Sequence, residues 1–220
     1  ETELNPKIGL VWSPHPKTTV RLTSFKTLKR SLVANQTIQP TQVSGFNQFY
    51  DDKNGAKALN YGVGIDQTIS NNIKGGIEFL DRQLDFPYPR YEGNEIKEII
   101  QTDRDEQYLR GYLYWTPSPT ISLANEIIYE KFYNDTLSDK ERFRNLKTLN
   151  APLTLTLFYF KCVKLGIKAS AVKQESLQQI ARDKSEHGRD TFVIFDANIG
   201  YKLPKRRGAI SVEFKNIGNT

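Results

Sequence analysis

Apolar and polar side chains alternate along residues 190–216, and a short turn interrupts the alternation at 204–208. The apolar series is Val193, Phe195, Ala197, Ile199 and Tyr201 before the turn, and Ile210, Val212 and Phe214 after it. Successive side chains of a strand point to opposite faces, whereas a helix repeats every 3.6 residues. The pattern therefore predicts a β-hairpin with one apolar face and one polar, charged face.

The same unit recurs along the whole chain and gives about ten strands. The predicted short turns lie at 13–17, 70–72, 117–119, 160–164 and 204–208, and the predicted long polar connections at 29–57, 85–105, 134–145 and 175–189. Short turns at one end and long loops at the other are typical of bacterial outer-membrane barrels, where the turns are periplasmic and the loops extracellular. The sequence thus predicts an all-β, antiparallel up-and-down transmembrane β-barrel.

Alternation alone does not decide whether the apolar face meets lipid or a protein core, because soluble barrels alternate as well. Charges in the middle of the strands favour a wet lumen on the polar side. The residues predicted to face the lumen are Lys74, Glu78, Arg82, Arg110, Glu126, Glu130, Lys168, Asp196, Glu213 and Lys215. Glycines on the same face, at positions 9, 62, 64, 76 and 200, are expected to leave space there and to permit strong coiling.

Three large aromatic residues lie on the apolar face shortly before a short turn. They are Trp12, Trp115 and Tyr201. Placed at one height of a barrel they would form an interfacial aromatic belt, as Trp and Tyr do at the border between lipid and water. Aromatic residues that cap a soluble core are the alternative.

Composition restricts the remaining choices. No apolar run approaches the roughly 18 residues of a membrane-spanning helix, and the mean hydropathy is -0.56. The net charge of +6 arises from 31 basic and 25 acidic residues spread along the chain, and no nucleic-acid-binding motif accompanies it. A mixed, solvated surface is therefore expected, without a nucleic-acid partner.

Catalytic or metal-binding chemistry is not predicted. His15 and His187 fall at opposite ends of the proposed barrel, so they are expected to be solvated surface residues. The single cysteine, Cys162, is expected to be a structural thiol. The carboxylate pairs Asp51–Asp52 and Glu126/Glu130 have no supporting motif. We therefore expect a protein that is not an enzyme and that needs no metal or cofactor.

Two segments resemble a known class of barrel. The block NPKIGLVWSPHPKTTVRLTSFKTLKRSLVANQTIQPTQVSGFNQFYDD resembles a strand-turn-strand-loop block in the C-terminal barrels of TonB-dependent receptors, and more closely the barrels fused to tetratricopeptide repeats in proteobacterial surface proteins. GYKLPKRRGAISVEFKNIGNT is similar to a late hairpin of such barrels. At 217–220 the chain has Ile-Gly-Asn-Thr where those barrels usually have a Leu-Phe-Asp step, and it carries neither a plug domain nor an energy-coupling box.

The resemblance implies a portion of a larger barrel, residues 1–220, cut at both ends from a longer protein of the outer membrane of a Gram-negative bacterium. The expected partners are outer-membrane lipid, the remaining strands and N-terminal domains of that protein, and a transported solute or polymer. The preferred hypothesis is transport or secretion, in a porin-like or receptor-like manner, with the loop at 29–57 gating the lumen or binding ligand. The alternatives are a non-conducting anchor for binding modules and a soluble ligand-binding β-barrel.

Overall fold

The computed structural model describes residues 4–29, 42–47, 52–92, 95–134, 143–160, 162–181 and 184–218. These residues form one ten-stranded antiparallel sheet and one two-stranded hairpin. The strands are β1 (Lys7–His15), β2 (Thr18–Leu28), β3 (Gln42–Val43), β4 (Phe46–Asn47), β5 (Lys57–Ser70), β6 (Ile73–Glu92), β7 (Glu95–Ser118), β8 (Ile121–Asn134), β9 (Phe143–Tyr159), β10 (Val163–Ala181), β11 (Lys184–Lys202) and β12 (Ala209–Phe214).

Each strand of the large sheet pairs with its sequence neighbours, apart from the small β3–β4 hairpin between β2 and β5. The predicted all-β, antiparallel up-and-down architecture is therefore confirmed. β1 and β12 form the two edges of the sheet and do not pair with each other. Among the described residues the sheet is thus open, and no closed barrel is present. No helix in these ranges is long and apolar enough to cross a membrane.

The register of the sheet drifts steadily from edge to edge. One row of paired residues runs through Leu10, Leu22, Val63, Phe79, Leu109, Tyr129, Leu149, Lys173 and Thr191. On β1 the row lies five residues from the short-turn end of the strand, His15. On β11 it lies eleven residues from the short-turn end, Lys202. A drift of six residues over eight strand-to-strand steps corresponds to a strand tilt of roughly 30°, with about 3.3 Å per residue and about 4.8 Å between strands.

Two of the four predicted long connections are wrong. β7 begins three residues after β6 ends, so most of 85–105 is strand, and β11 begins three residues after β10 ends, so 175–189 is largely strand as well. The pairing between β6 and β7 continues as far as Glu92↔Glu95, and that between β10 and β11 as far as Ala181↔Lys184. These two segments are therefore not loops. They form the ends of two long hairpins, β6–β7 and β10–β11, that protrude beyond the neighbouring strands.

The predicted short turns are present, and most are shorter than expected. β1 continues to His15 through Pro14 with a register shift, so only Pro16 and Lys17 separate it from β2. Two residues also separate β5 from β6 and β7 from β8. Between β11 and β12, residues Pro204–Arg206 form a single 3-10 turn. Of the predicted connection at 29–57, the described parts are 29, 42–47 and 52–57; 135–142 lies outside the described residues.

Candidate functional site

One face of the sheet, here called the outer face, presents an apolar band to the surroundings. Directly paired residues of adjacent strands share a face, so the register assigns each side chain. On β6 to β11 the band comprises residues 73–79, 109–115, 121–129, 149–159, 163–171 and 193–201, each at alternate positions. Its side chains are uncovered: Ile127 is 55% exposed, Ile167 59% and Phe195 50%.

Aromatic side chains mark the turn-side border of this band. Trp12 and Trp115 each lie three residues before the end of their strand, and Tyr201 lies one residue before the end of β11. All three are on the outer face and exposed, as is Tyr159 at the end of β9. The three residues predicted as a belt thus occupy equivalent places, although a membrane border there stays a prediction.

The apolar side chains change face along β6. Between Ile73 and Phe79 they point outward, with Ile77 and Phe79 exposed. From Leu80 onward the apolar residues are the buried ones on the opposite face, here called the inner face: Leu80, Leu84, Phe86 and Tyr88 are between 2% and 9% exposed. The outer positions then become Asp81, Gln83 and Asp85. In the protruding part of the hairpin the apolar side chains are buried and the polar ones are exposed, as in a water-soluble sheet. In the band the apolar side chains are the exposed ones.

Within the band, the inner face carries a connected set of charges on β2, β5, β6, β7 and β8, here called the Arg110 network. The Arg110 guanidinium contacts Glu126 at 2.7 Å and Glu78 at 3.3 Å. Arg21 contacts the same Glu78 at 3.1 Å and Asp66 at 2.6 Å. Two arginines and three carboxylates therefore alternate in sign across the sheet, and each of them contacts at least one group of opposite charge.

Two tyrosines complete this network. The hydroxyl of Tyr112 bonds to Asp66, and that of Tyr114 donates to Glu126 at 2.7 Å. The rings stack with centroids 5.1 Å apart, and the Arg110 guanidinium lies 4.8 Å from the Tyr112 ring centroid, a cation–π distance. Phenol hydroxyls and guanidinium groups thus line this part of the inner face together.

Glycines of the inner face mark where side chains cross a strand. Arg21 passes over Gly64 to reach Glu78, since a Cβ on Gly64 would lie 3.0 Å from the guanidinium. Tyr112 passes over Gly76 to reach Asp66, and a Cβ there would lie 2.6 Å from the Tyr112 hydroxyl oxygen. The space expected at these glycines exists, and specific side chains fill it.

The β3–β4 hairpin folds onto the inner face beside the Arg110 network. Phe46 is 4% exposed and packs with Phe25 and Leu80. Its ring occupies the space above Gly62, where a Cβ would approach the ring to 2.9 Å, and the Arg21 guanidinium lies 4.9 Å from the ring centroid. At the same time Ser44 lies over Gly9. A described part of the predicted gating loop therefore covers the inner surface of β1, β2 and β5.

Adding a side chain at Gly62 should displace this hairpin. In Gly62→Val the new Cβ would approach Thr23 to 2.7 Å and Phe46 to 2.9 Å, and overpacking of this kind costs about 1–3 kcal/mol. We expect Ser44→Cys, which keeps the Phe46 ring in place, to react faster with a polar maleimide in a Cys162→Ser background when Gly62→Val is added, because Ser44 lies over Gly9 only while the hairpin is docked. Gly111→Val is the matched control, because nothing lies within 4 Å of a Cβ at Gly111. Equal reaction rates in the two backgrounds would contradict this packing.

A second ionic cluster lies on the inner face beyond the band. Arg82 is 5% exposed and bonds to Asp52 and, at 2.7 Å, to Glu106. A cavity of about 230 Å³ opens beside it, with Leu80 and Tyr108 among its apolar walls. Ligand pockets typically reach about 300–1,000 Å³, so the inner surface as a whole is the better candidate site.

Nine of the ten residues predicted to face a lumen lie on strands at inner-face positions: Lys74, Glu78, Arg82, Arg110, Glu126, Glu130, Lys168, Asp196 and Glu213. Lys215 follows β12 and contacts Glu213 at 3.5 Å. Only Glu78, Arg110 and Glu126 join the Arg110 network. Lys168 and Asp196 form a looser pair at 3.9 Å. Lys74 and Glu130 take part in none of the described ion pairs.

Arg21, Asp66, Tyr112, Tyr114 and Phe46 were missed as site residues. The first four occupy the polar positions of the alternating pattern, so their face could be derived from the sequence, but their partners depend on the register of β2, β5 and β7. For Phe46 the sequence offers only the nearby glycines as a signal.

Neither a known protein family nor a curated protein sequence matches this chain. The resemblance to TonB-dependent receptors and to barrels fused to tetratricopeptide repeats therefore stays a prediction. Among the described residues, no three His, Cys, Asp or Glu side chains converge as a metal site would require.

Proposed function

We propose that this chain is a portion of a transmembrane β-barrel of the bacterial outer membrane that acts in transport or secretion, with its inner face lining a water-filled lumen. The observation that carries the proposal is the change of face along β6. Apolar side chains point outward over the band and inward beyond it. Lipid around the band and water around the protruding hairpins would account for both halves of one strand.

The two faces differ in burial as a lipid-facing wall around a polar interior would require. The outer face is exposed at Ile127, Leu153 and Ile167, whereas the Arg110 network is largely covered, with 22% of the Arg110 side chain exposed. A soluble sheet places its apolar face against another layer. None of the described elements packs on the outer face, and large exposed apolar surfaces otherwise mark interfaces with proteins or membranes.

The dimensions of the band also suit a bilayer. On β8, β10 and β11 it spans nine residues, for example Ile121 to Tyr129. With about 3.3 Å per residue and a tilt near 30°, nine residues cover roughly 25 Å, the height of the apolar band in outer-membrane barrels. The steady drift of register tilts the strands in the way that a barrel needs, by roughly 30° where closed barrels have about 35–45°. The open edges would pair with strands outside this chain, because unpaired backbone groups are costly in lipid.

The test is insertion into membranes. The protein, in its full-length context, should require detergent for extraction and should regain its fold only in detergent or lipid. Carbonate washing, which removes peripheral proteins, should leave it in the membrane fraction. A soluble monomer that folds without detergent would contradict the proposal and favour the soluble ligand-binding barrel.

A second candidate, a non-conducting anchor for binding modules, is favoured by the β3–β4 hairpin, which covers part of the inner face. Ion conductance of the full-length protein in planar bilayers separates the two functions. For a conduit, replacing residues 42–47 with a Gly-Ser segment should raise the conductance, because Phe46 and its neighbours no longer fill the inner surface. A correctly inserted protein that stays silent with and without the hairpin would be an anchor.

A further inference from the structure

Charges of opposite sign divide the outer face just beyond the apolar band. On β6 and β7 the first polar positions include four carboxylates, Asp81, Asp85, Asp103 and Asp105. On β8 to β11 they are mainly basic. The basic sector, as we call it, consists of Lys131, Lys147, Lys173 and Arg189. Within this sector Glu175 is the carboxylate that directly neighbours Lys147 across the strands.

Two lysines of the basic sector stand directly opposite each other, because Lys131 on β8 pairs with Lys147 on β9. Like charges at opposed positions destabilise a sheet. Within the described part of the chain, neither lysine forms an ion pair. On the other side, Lys131 borders a cavity of about 230 Å³ that also includes Asp81 and Asp105. An anion between the two ammonium groups would relieve their repulsion.

The nearest carboxylate is already engaged. Glu175 lies across from Lys147, but it bonds to Lys173 at 2.9 Å and approaches Arg189 at 3.8 Å. The hydrogen bond from Lys173 lowers the pKa of Glu175, so this carboxylate is ionised at neutral pH. One negative charge thus serves three neighbouring cations, and the basic sector keeps a net positive charge.

We propose that the basic sector binds the phosphate of an anionic membrane-lipid headgroup. The inference rests on the proposed function, because it requires the band to lie in lipid. Lys131 and Lys147 follow the last apolar row, Tyr129 and Leu149, by two residues, a distance of about 6–7 Å along a strand. A lipid whose acyl chains contact the band would place its phosphate at this level, where ammonium groups on flexible stems reach it.

Lipid retention tests the proposal. The full-length protein is reconstituted with equal amounts of phosphatidylglycerol and phosphatidylcholine, extracted in mild detergent, and its bound lipid is quantified by mass spectrometry. We expect the wild-type protein to retain phosphatidylglycerol preferentially. Lys131→Gln/Lys147→Gln should bind phosphatidylglycerol about tenfold more weakly, because the attraction between two lysines and the anionic lipid is lost. The control Lys17→Gln/Arg207→Gln removes two charges at the turn end and should leave the preference unchanged.

Each other result contradicts the proposal in a defined way. Equal retention of both lipids by the wild-type protein, or an unchanged preference in the double variant, overturns the headgroup site. Displacement of phosphatidylglycerol by millimolar inorganic phosphate alone identifies a free-anion site and overturns the lipid assignment. If the double variant does not assemble, Lys147→Gln alone is measured against the same controls. A wild-type protein that fails to enter vesicles contradicts the proposed function, whereas normal insertion without lipid preference contradicts only this inference.

Discussion

Leu153→Arg is expected to destabilise the membrane-inserted protein strongly and to lower its yield in membranes. Leu153 lies near the centre of the apolar band on β9, and 47% of its side chain is exposed. An arginine on the lipid face near the bilayer midplane costs about 2–4 kcal/mol. In water the same substitution replaces an exposed leucine with a soluble residue and would be nearly neutral. Refolding yield into vesicles, followed by protection of the band from added protease, measures the effect.

Gln101→Arg is the matched control for this experiment. Gln101 is also an exposed outer-face residue of a long strand, but it lies eight residues from Leu109, where the band on β7 ends. The same charge added there should leave insertion unchanged, because the position would lie in water. Equal behaviour of Leu153→Arg and Gln101→Arg would contradict a membrane location of the band.

Arg110→Met should lower the free energy of unfolding by about 3 kcal/mol, because a largely covered carboxylate loses its charged partner. Glu126 would keep only its bond from Tyr114, whereas Glu78 would keep Arg21. The measurement is urea unfolding of the protein in lipid vesicles. The double variant Arg110→Met/Glu126→Gln should recover part of the loss, since the uncompensated charge is then gone.

Lys168→Met is the corresponding control on the same inner face. The Lys168–Asp196 pair is 3.9 Å apart and its lysine side chain is 44% exposed. Exposed ion pairs contribute about 0–1 kcal/mol, so the unfolding midpoint should change little. If Lys168→Met lowered the free energy of unfolding as much as Arg110→Met, the Arg110 network would contribute no more to stability than an exposed ion pair.

The alternation of side chains was sufficient to predict the strands of the apolar band, their faces and their order. It failed at 85–105 for a physical reason: Phe79 and Leu80 are adjacent apolar residues on opposite faces, so the two-residue period shifts phase there. Beyond that point most outer positions are polar or proline, with four aspartates among them, and the segment has the composition of a loop. Backbone pairing across the tight β6–β7 connection keeps it in the sheet.

The second missed hairpin has a different cause. At 175–189 both faces are mainly polar, with Glu175 and Arg189 outward and Ser176 and Gln178 inward. The few apolar residues there, such as Leu177, do not recur with a period of two, so no hydrophobic pattern indicates a strand. The Arg110 network was partly predictable, because the sequence identifies its inner-face charges. Its partners were not, since Arg21 reaches Glu78 only by crossing β5 at Gly64, and that crossing depends on a register that no local pattern specifies.

In a bilayer, the change of face on β6 would also set the depth of the strand. If β6 moved by two residues along its axis toward the turn side, Asp81 would enter the hydrocarbon. If it moved by two residues toward the protruding hairpin, Phe79 would leave the hydrocarbon. Either displacement is opposed, the first by the cost of transferring charge and the second by exposure of apolar surface to water. In lipid, either displacement of β6 would therefore raise the free energy, so its own side chains would hold the strand at one depth. The protruding hairpins could then bend without shifting the band.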